Sequence, residues 1–281
     1  MRVISVNVNG IRSATSKGIV TWLKRQKPDV VCMQEIKALE SDIPEAVLRW
    51  KNMHAFYHPA EKKGYAGVAI FSKREPDKVI IGTGIKWIDA EGRYLEVQFG
   101  NLSVISLYLP SGSASEEAQA KKFRFLDVFM PYLKKLKQSG REVIIVGDWN
   151  IAHKEIDLKN WRGNKKNSGF LPAERAWLTT LFDQVGYVDT FRTLNDKPDQ
   201  YTWWSNRGNA RENNVGWRID YHICTPGIAA KANKTSVYKD KWFSDHAPLT
   251  VDYQYDLSLN AVPPAAPSRY SNKEHRLDSN L

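Results

Sequence analysis

Residues 143–150, Val143-Ile144-Ile145-Val146-Gly147-Asp148-Trp149-Asn150, set four β-branched apolar residues against a glycine, an acid and an amide. A short apolar run bounded by a glycine reads as a strand buried on both faces, with its polar tail at the strand's end. Related arrangements recur along the chain. Arg2-Val3-Ile4-Ser5-Val6 leads into Asn7-Val8-Asn9-Gly10, and Val30-Val31-Cys32-Met33 leads into Gln34-Glu35. Trp217-Arg218-Ile219-Asp220 and Ser244-Asp245-His246 adjoin apolar runs near the other end. Strands of one sheet can bring their ends to a single edge, where carboxylates, amides and one imidazole converge on a divalent cation and a phosphate. This donor set points to phosphodiester chemistry.

The intervening sequence fits an α/β fold. Residues 17–26 carry Ile19, Val20 and Leu23 at helical spacing before Lys27-Pro28-Asp29 stops the helix. Residues 66–73, 79–88, 93–99 and 102–109 read as successive strands of an antiparallel meander. A long helix is expected over 116–138, with Phe123, Leu126, Phe129, Leu133 and Leu136 on one face. A further helix is expected over 173–185, and short strands over 187–191, 221–225 and 251–255. The polar clusters run from residue 7 to residue 246, so division into two domains would split the constellation. A single catalytic domain over 1–256 is expected, followed by a disordered tail over 257–281, where Pro263-Pro264 and small polar residues dominate.

The formal net charge of +10 creates a field that attracts a polyanion, with nucleic acid as the default partner and a merely basic enzyme as the alternative. Cys32 and Cys224 sit in apolar runs and form no disulfide framework. The opening strand begins at once, without a signal-peptide pattern, and no apolar run reaches membrane-spanning length. A cytoplasmic monomer that makes no membrane contact is the expectation.

Several side chains stand out. Glu35, on a loop after an apolar strand, is a candidate metal ligand; alone it would read as an ordinary surface acid. Asp148 and Asn150 lie two residues apart and in an extended segment would share one side, a carboxylate to hold water beside an amide donor. An Asx turn would explain the same tetrapeptide. His246 is the histidine embedded in such a cluster, and Asp220 is placed to orient it and keep it cationic against a phosphate.

These motifs, with Tyr108-Leu109-Pro110, the segment His153 to Asp157, Tyr201-Thr202-Trp203-Trp204 and Asn214-Val215-Gly216-Trp217-Arg218-Ile219-Asp220, closely resemble the exonuclease III-type AP endonucleases of the endonuclease/exonuclease/phosphatase superfamily. The resemblance spans residues 1–255. It implies a DNase I-like fold: a four-layer α/β sandwich with two central mixed β-sheets flanked by helices. It also implies magnesium-dependent hydrolysis of DNA phosphodiesters, with manganese as a substitute. By the same resemblance Glu35 is the main metal ligand, with Asn7 and Asp245 nearby; Asp148 activates or positions water with help from Asn150; and Asp220, His246 and Tyr108 hold the phosphate and stabilise the transition state.

Trp203, Trp217 and Ile219 match positions that wall a pocket for a flipped-out baseless sugar, and Arg207 matches a position that inserts into the duplex. The implied substrate is double-stranded DNA with abasic sites or blocked 3′ ends. Asn9 stands where some relatives carry Asp, and Ser111 where others carry Asn, which leaves open a second metal and the balance among endonuclease, 3′ exonuclease, 3′ phosphatase and 3′ phosphodiesterase work. Competing readings keep the fold but change the substrate to RNA, phosphoinositides or another phosphodiester, reduce the enzyme to 3′-end processing, or make it a non-catalytic DNA-binding protein. The last predicts the loss of a catalytic position, yet Glu35, Asp148, Asn150, Asp220 and His246 are all present.

Overall fold

A computed structural model describes residues 1–258. Two six-stranded mixed sheets lie face to face. The first contains β1 (Arg2–Asn7), β2 (Val30–Gln34), β3 (His54–His58), β4 (Val68–Ser72), β13 (Ala232–Val237) and β14 (Leu249–Tyr253), in the order β13-β14-β1-β2-β4-β3. The second contains β5 (Lys78–Ile81), β6 (Tyr94–Phe99), β7 (Leu102–Tyr108), β8 (Glu142–Asp148), β9 (Val188–Asp189) and β12 (Asp220–Cys224), in the order β5-β6-β7-β8-β12-β9. A small ribbon pairs β10 (Trp203–Trp204) with β11 (Gly216–Trp217). Each sheet has one parallel pair at its centre, β1 with β2 and β7 with β8.

Alternation along the strands sorts the core into layers. Val3, Val30, Cys32 and Val68 of the first sheet meet Val97, Val104, Ile144 and Val146 of the second in the central gap. On the outer face of the first sheet Ile4, Val6, Val31 and Met33 pack with Ile19, Val20 and Leu23 of the helix Ile19–Gln26. On the outer face of the second, Ile105, Leu107, Val143 and Ile145 pack with Phe125, Leu126, Phe129 and Leu133 of the helix Glu116–Gln138. The expected four layers are therefore present. Ser115 caps that long helix by accepting from the Ala118 amide, and Glu116 and Glu117 occupy its first turn.

The central face changes character along its strands. Val3, Ser5 and Asn7 follow one another on β1, Val30, Cys32 and Gln34 on β2, Val104, Ser106 and Tyr108 on β7, and Ile144, Val146 and Asp148 on β8. Strand β12 runs the other way, from Asp220 through His222 to Cys224. The gap is thus apolar at one end and polar at the other. In the transition layer the Gln34 amide donates to Ser106 Oγ at 2.9 Å, and Ser5 Oγ donates to Gln34 Oε1 at 3.3 Å. The two sheets are joined by hydrogen bonds just beneath the polar edge.

Some boundaries differ from the sequence expectation. The strand expected over 66–73 belongs to the first sheet and not to the meander, which is β5-β6-β7. The strand expected over 79–88 ends at Ile81, because Gly82 and Gly84 take φ of +79° and +84° and the Asp89 carboxylate accepts from the Thr83 and Gly84 amides. The helix expected over 173–185 is α-helical at Pro172–Thr179 and widens to a π-helix at Thr180–Val185 before Gly186. Edge strands β3 and β13 lack an apolar run because their faces are largely open to solvent. Leu257 is buried against the central core, so packing extends past the expected domain end; the rest of the expected tail, from 259 onward, lies outside the described residues. Among the described residues no helix is long and apolar enough to cross a membrane.

Gly147 is required by a close approach. A Cβ there would stand 1.9 Å from the Leu107 carbonyl oxygen on the neighbouring parallel strand, at a φ of +141°. Gly147→Ala is predicted to destabilise the fold by about 3 kcal/mol in urea unfolding, because backbone must move to admit one methyl. A variant within about 0.5 kcal/mol of the parent would contradict this placement.

Candidate active site

Six chain segments meet at the polar edge of the sandwich, the loop 244–246 among them. Asn7 ends β1 and Asp148 ends β8, while Asp220 begins β12 directly opposite Asp148 in the antiparallel register. Tyr108 ends β7 beside Asp148 in the parallel register. Glu35 follows β2 and adopts φ of +49°, and Asn9, Lys37 and Asn150 also take left-handed backbone angles around the same edge. Such conformations oppose side-chain sterics and persist where surrounding structure enforces them. Here strand ladders continue into the loops, with Val8 and Gly10 amides donating to the carbonyls of Gln34 and Glu35.

Asn7 ties the two sheets together. Its amide nitrogen donates to Glu35 Oε1 at 2.8 Å and to Asp148 Oδ2 at 2.9 Å, while its oxygen accepts from the Asn9 amide. In this arrangement Asn7 orients both carboxylates through its donor group. The second oxygen of Asp148 accepts from the Asn150 amide at 2.9 Å, and the Asn150 side chain donates to the Leu109 carbonyl. Asp148 and Asn150 therefore face one cleft through an Asx-type turn, rather than through the extended alternation expected from their spacing.

His246 Nδ1 lies 2.8 Å from Asp220 Oδ2, and Nε2 lies 3.7 Å from Asp148 Oδ2. Burial opposes the ring's charge, but Asp220 and Asp148 outweigh it and push His246 up to about 10. Burial pushes the Asp148 carboxyl up to about 7 against the favourable His246 charge, with Asp220 and Glu35 adding to the rise. Burial and the neighbouring Glu35 carboxylate hold the Tyr108 phenol well above its usual range. Asp245 accepts from Asn9 and from the Trp203 indole, and its carboxyl is lowered because His246 and these donors outweigh burial.

Ten of the twelve residues expected from sequence line one cleft of about 900 Å³: Glu35, Tyr108, Asp148, Asn150, Trp203, Arg207, Trp217, Ile219, Asp245 and His246. Asn7 and Asp220 lie just behind that lining, at 0% and 2% exposure. Trp203 and Trp217 face each other across the small ribbon with ring centroids 6.4 Å apart, and with Ile219 they form an apolar wall packed on the buried Phe170. Arg207 is exposed on the loop beyond them.

Other contributors carry weak sequence signals. Lys37 pairs with Glu35 at 2.9 Å and also reaches Asn9 Oδ1; its spacing from Glu35 is the available clue. Arg93 packs 4.7 Å from the Tyr108 ring centroid and donates to the Tyr108 carbonyl, a partnership invisible in sequence. Thr202 Oγ1 accepts from the Ile219 and Asp220 amides, and Ser244 Oγ donates to the Asn7 carbonyl. Lys122 and Glu174 form an ion pair at 0% exposure beneath the cleft. Lys122 also donates to the Asn150 carbonyl, and Glu174 accepts from the Gly169 and Leu171 amides. In sequence both look like solvated charges on amphipathic helices.

Ligand atoms of Glu35, Asp148 and His246 lie within 4.8 Å of one another. A protonated imidazole has no lone pair to offer, so the set reduces to carboxylate oxygens, which suit a hard divalent cation. Four carboxylates, of Glu35, Asp148, Asp220 and Asp245, face three nearby cations, Lys37, His246 and Arg211. That imbalance fits a bound cation beside Glu35. Replacing Asp220 by Asn is predicted to drop the His246 pKa from about 10 toward neutrality, read from its ring protons by NMR titration. An unchanged titration would contradict the assigned pairing.

The sequence profile of the Endonuclease/Exonuclease/phosphatase family matches residues 4–246. The chain is 38% identical over 251 residues to an exodeoxyribonuclease of Bacillus subtilis, covering 89% of this chain and 98% of that one. It is 34% identical over 255 residues to a DNA-(apurinic or apyrimidinic site) endonuclease of Dictyostelium discoideum, covering 89% and 70%. The structure of an AP endonuclease from Archaeoglobus fulgidus superimposes with a TM-score of 0.83 at 29% identity, covering 91% of this chain and all of that one. With the fold, the convergent edge and these relatives in agreement, the chain belongs to the endonuclease/exonuclease/phosphatase family.

Proposed function

We propose that the protein is a magnesium-dependent DNA-repair hydrolase that cleaves the phosphodiester 5′ to an abasic site. One observation carries the reading: the apolar wall of Trp203, Trp217 and Ile219, backed by the buried Phe170, opens beside Asp148 and His246 in the same cleft. A sugar without a base can be extruded against such a wall while its 5′ phosphate reaches the charged floor. The relatives' names support the substrate, as does the formal charge of +10. The same cleft suits trimming of 3′ ends, and the Bacillus subtilis relative's name favours that second activity.

In this mechanism Asp148, raised to about 7, takes a proton from the attacking water near neutral pH as the new P–O bond forms, while the P–O3′ bond breaks and the departing 3′ oxygen takes a proton from solvent to become the 3′ hydroxyl. Asn150 and Asn7 fix its two oxygens. His246, kept protonated by Asp220, donates to a non-bridging phosphate oxygen, and Tyr108 adds a second donor as charge builds on phosphorus. Glu35 holds the divalent cation, with Asp245 nearby, and the ion when bound supplies Lewis-acid stabilisation of that charge. Arg207 reaches the duplex from the cleft rim.

The test is incision of a labelled duplex holding a tetrahydrofuran abasic analogue, with magnesium and with EDTA. Magnesium-dependent cleavage leaving a 3′ hydroxyl is expected, and Asp148→Asn should slow it by about a thousandfold. Wild-type protein that leaves the abasic duplex intact but removes a 3′ phosphate would overturn the endonuclease reading in favour of end processing. Full activity in Asp148→Asn would remove that residue from proton transfer.

A further inference from the structure

Trp242 is the one large aromatic side chain prominently exposed among the described residues, at 47%. It does not hang free. The Arg211 guanidinium packs 4.8 Å from its ring centroid and 4.7 Å from that of the buried Trp204. Arg211 Nη1 donates to the Ser244 carbonyl, while Nε and Nη2 are buried without a hydrogen-bond partner, so much of this cation's environment is indole. Arg211 is the cation packed on Trp242 among the described residues.

The place matters as much as the side chain. Trp242 and Arg211 line a recess of about 220 Å³ between the loops 205–212 and 240–245. The recess shares Ser205, Ala210 and Asp245 with the catalytic cleft, so the two are neighbours along one surface. Arg207 and Lys241 are exposed on these loops, Arg211 is packed between the two indoles and Lys239, just before the second loop, donates to the Asp199 carbonyl, against Glu212, Asp240 and Asp245. An exposed, pre-ordered indole among cations beside a phosphodiester site is the arrangement that captures a nucleobase by stacking while the cations track its backbone. A base-paired nucleotide has no free face to offer.

We propose that Trp242, braced by Arg211, is a stacking platform for an unpaired nucleobase of the DNA strand that runs past the cleft. It gives the protein a hold on frayed or overhanging strands that the abasic-sugar pocket does not provide. The proposal rests on the cleft being a DNA site, and its test does not depend on hydrolysis.

The measurement is fluorescence anisotropy in EDTA with the full-length protein, using a labelled single-stranded oligonucleotide and a fully paired duplex with an internal tetrahydrofuran site. Trp242→Ala should weaken single-strand binding by about tenfold and leave duplex binding within about twofold. Trp242→Phe should restore most of the loss, because a smaller ring still stacks. The platform is overturned if wild-type protein does not bind the single strand, if Trp242→Ala binds it unchanged, if Phe fails to restore it, or if both substrates weaken equally. A wild-type protein that binds the single strand in this way but fails to incise the abasic duplex would sink the catalytic reading and leave the platform standing.

Discussion

The amide of Asn7 donates at once to Glu35 of its own sheet and to Asp148 of the facing sheet. The catalytic geometry depends on this bridge, because at the polar edge it fixes the separation and register of two sheets whose contacts deeper in the gap are largely non-directional and apolar. Below it, Gln34, Ser5 and Ser106 repeat the same cross-sheet logic. The sandwich is therefore sealed by hydrocarbon at one end and by directional polar contacts at the other, and the second end is where reactive groups can be held to fractions of an ångström. Asn7 and Asp220 sit behind the surface because their work is to orient Glu35, Asp148 and His246.

Like charges are brought close at this edge, and the fold manages the repulsion in stages. His246 is forced to stay cationic between Asp220 and Asp148, and Lys37 covers Glu35. The burial that raises Asp148 into the neutral range suits it to the proton transfer proposed for it. A buried Lys122–Glu174 pair supports the same edge from below, since Lys122 holds the Asn150 carbonyl and Glu174 holds the Gly169 and Leu171 amides of the loop that borders the cleft. A buried pair of this kind contributes more to geometry than to net stability.

Sequence made the strands that end in polar clusters legible, because an apolar run closing on Asn7, Glu35 or Asp148 leaves few other readings. The helix Glu116–Gln138 agrees with its expected limits, since its apolar stripe and its Ser115 cap act locally. Assignment of 66–73 to a sheet was not legible: which sheet a strand joins is decided by long-range pairing, here β4 with β2 and β3. Edge strands β3 and β13 have too little buried surface to leave a pattern. At the site, the partnership of Arg93 with Tyr108 and the burial of Lys122 have no local signature, because each depends on an element that arrives from elsewhere in the chain.

The central proposal is that this edge is a preformed oxygen site whose negative charge is offset by a divalent cation held by Glu35. Manganese titration followed by electron paramagnetic resonance, on the DNA-free protein and on Glu35→Gln, measures this directly. The account predicts a bound ion in the parent, displaced by magnesium, and its loss in Glu35→Gln with the fold intact by circular dichroism. Equal occupancy and affinity in the two proteins would contradict it.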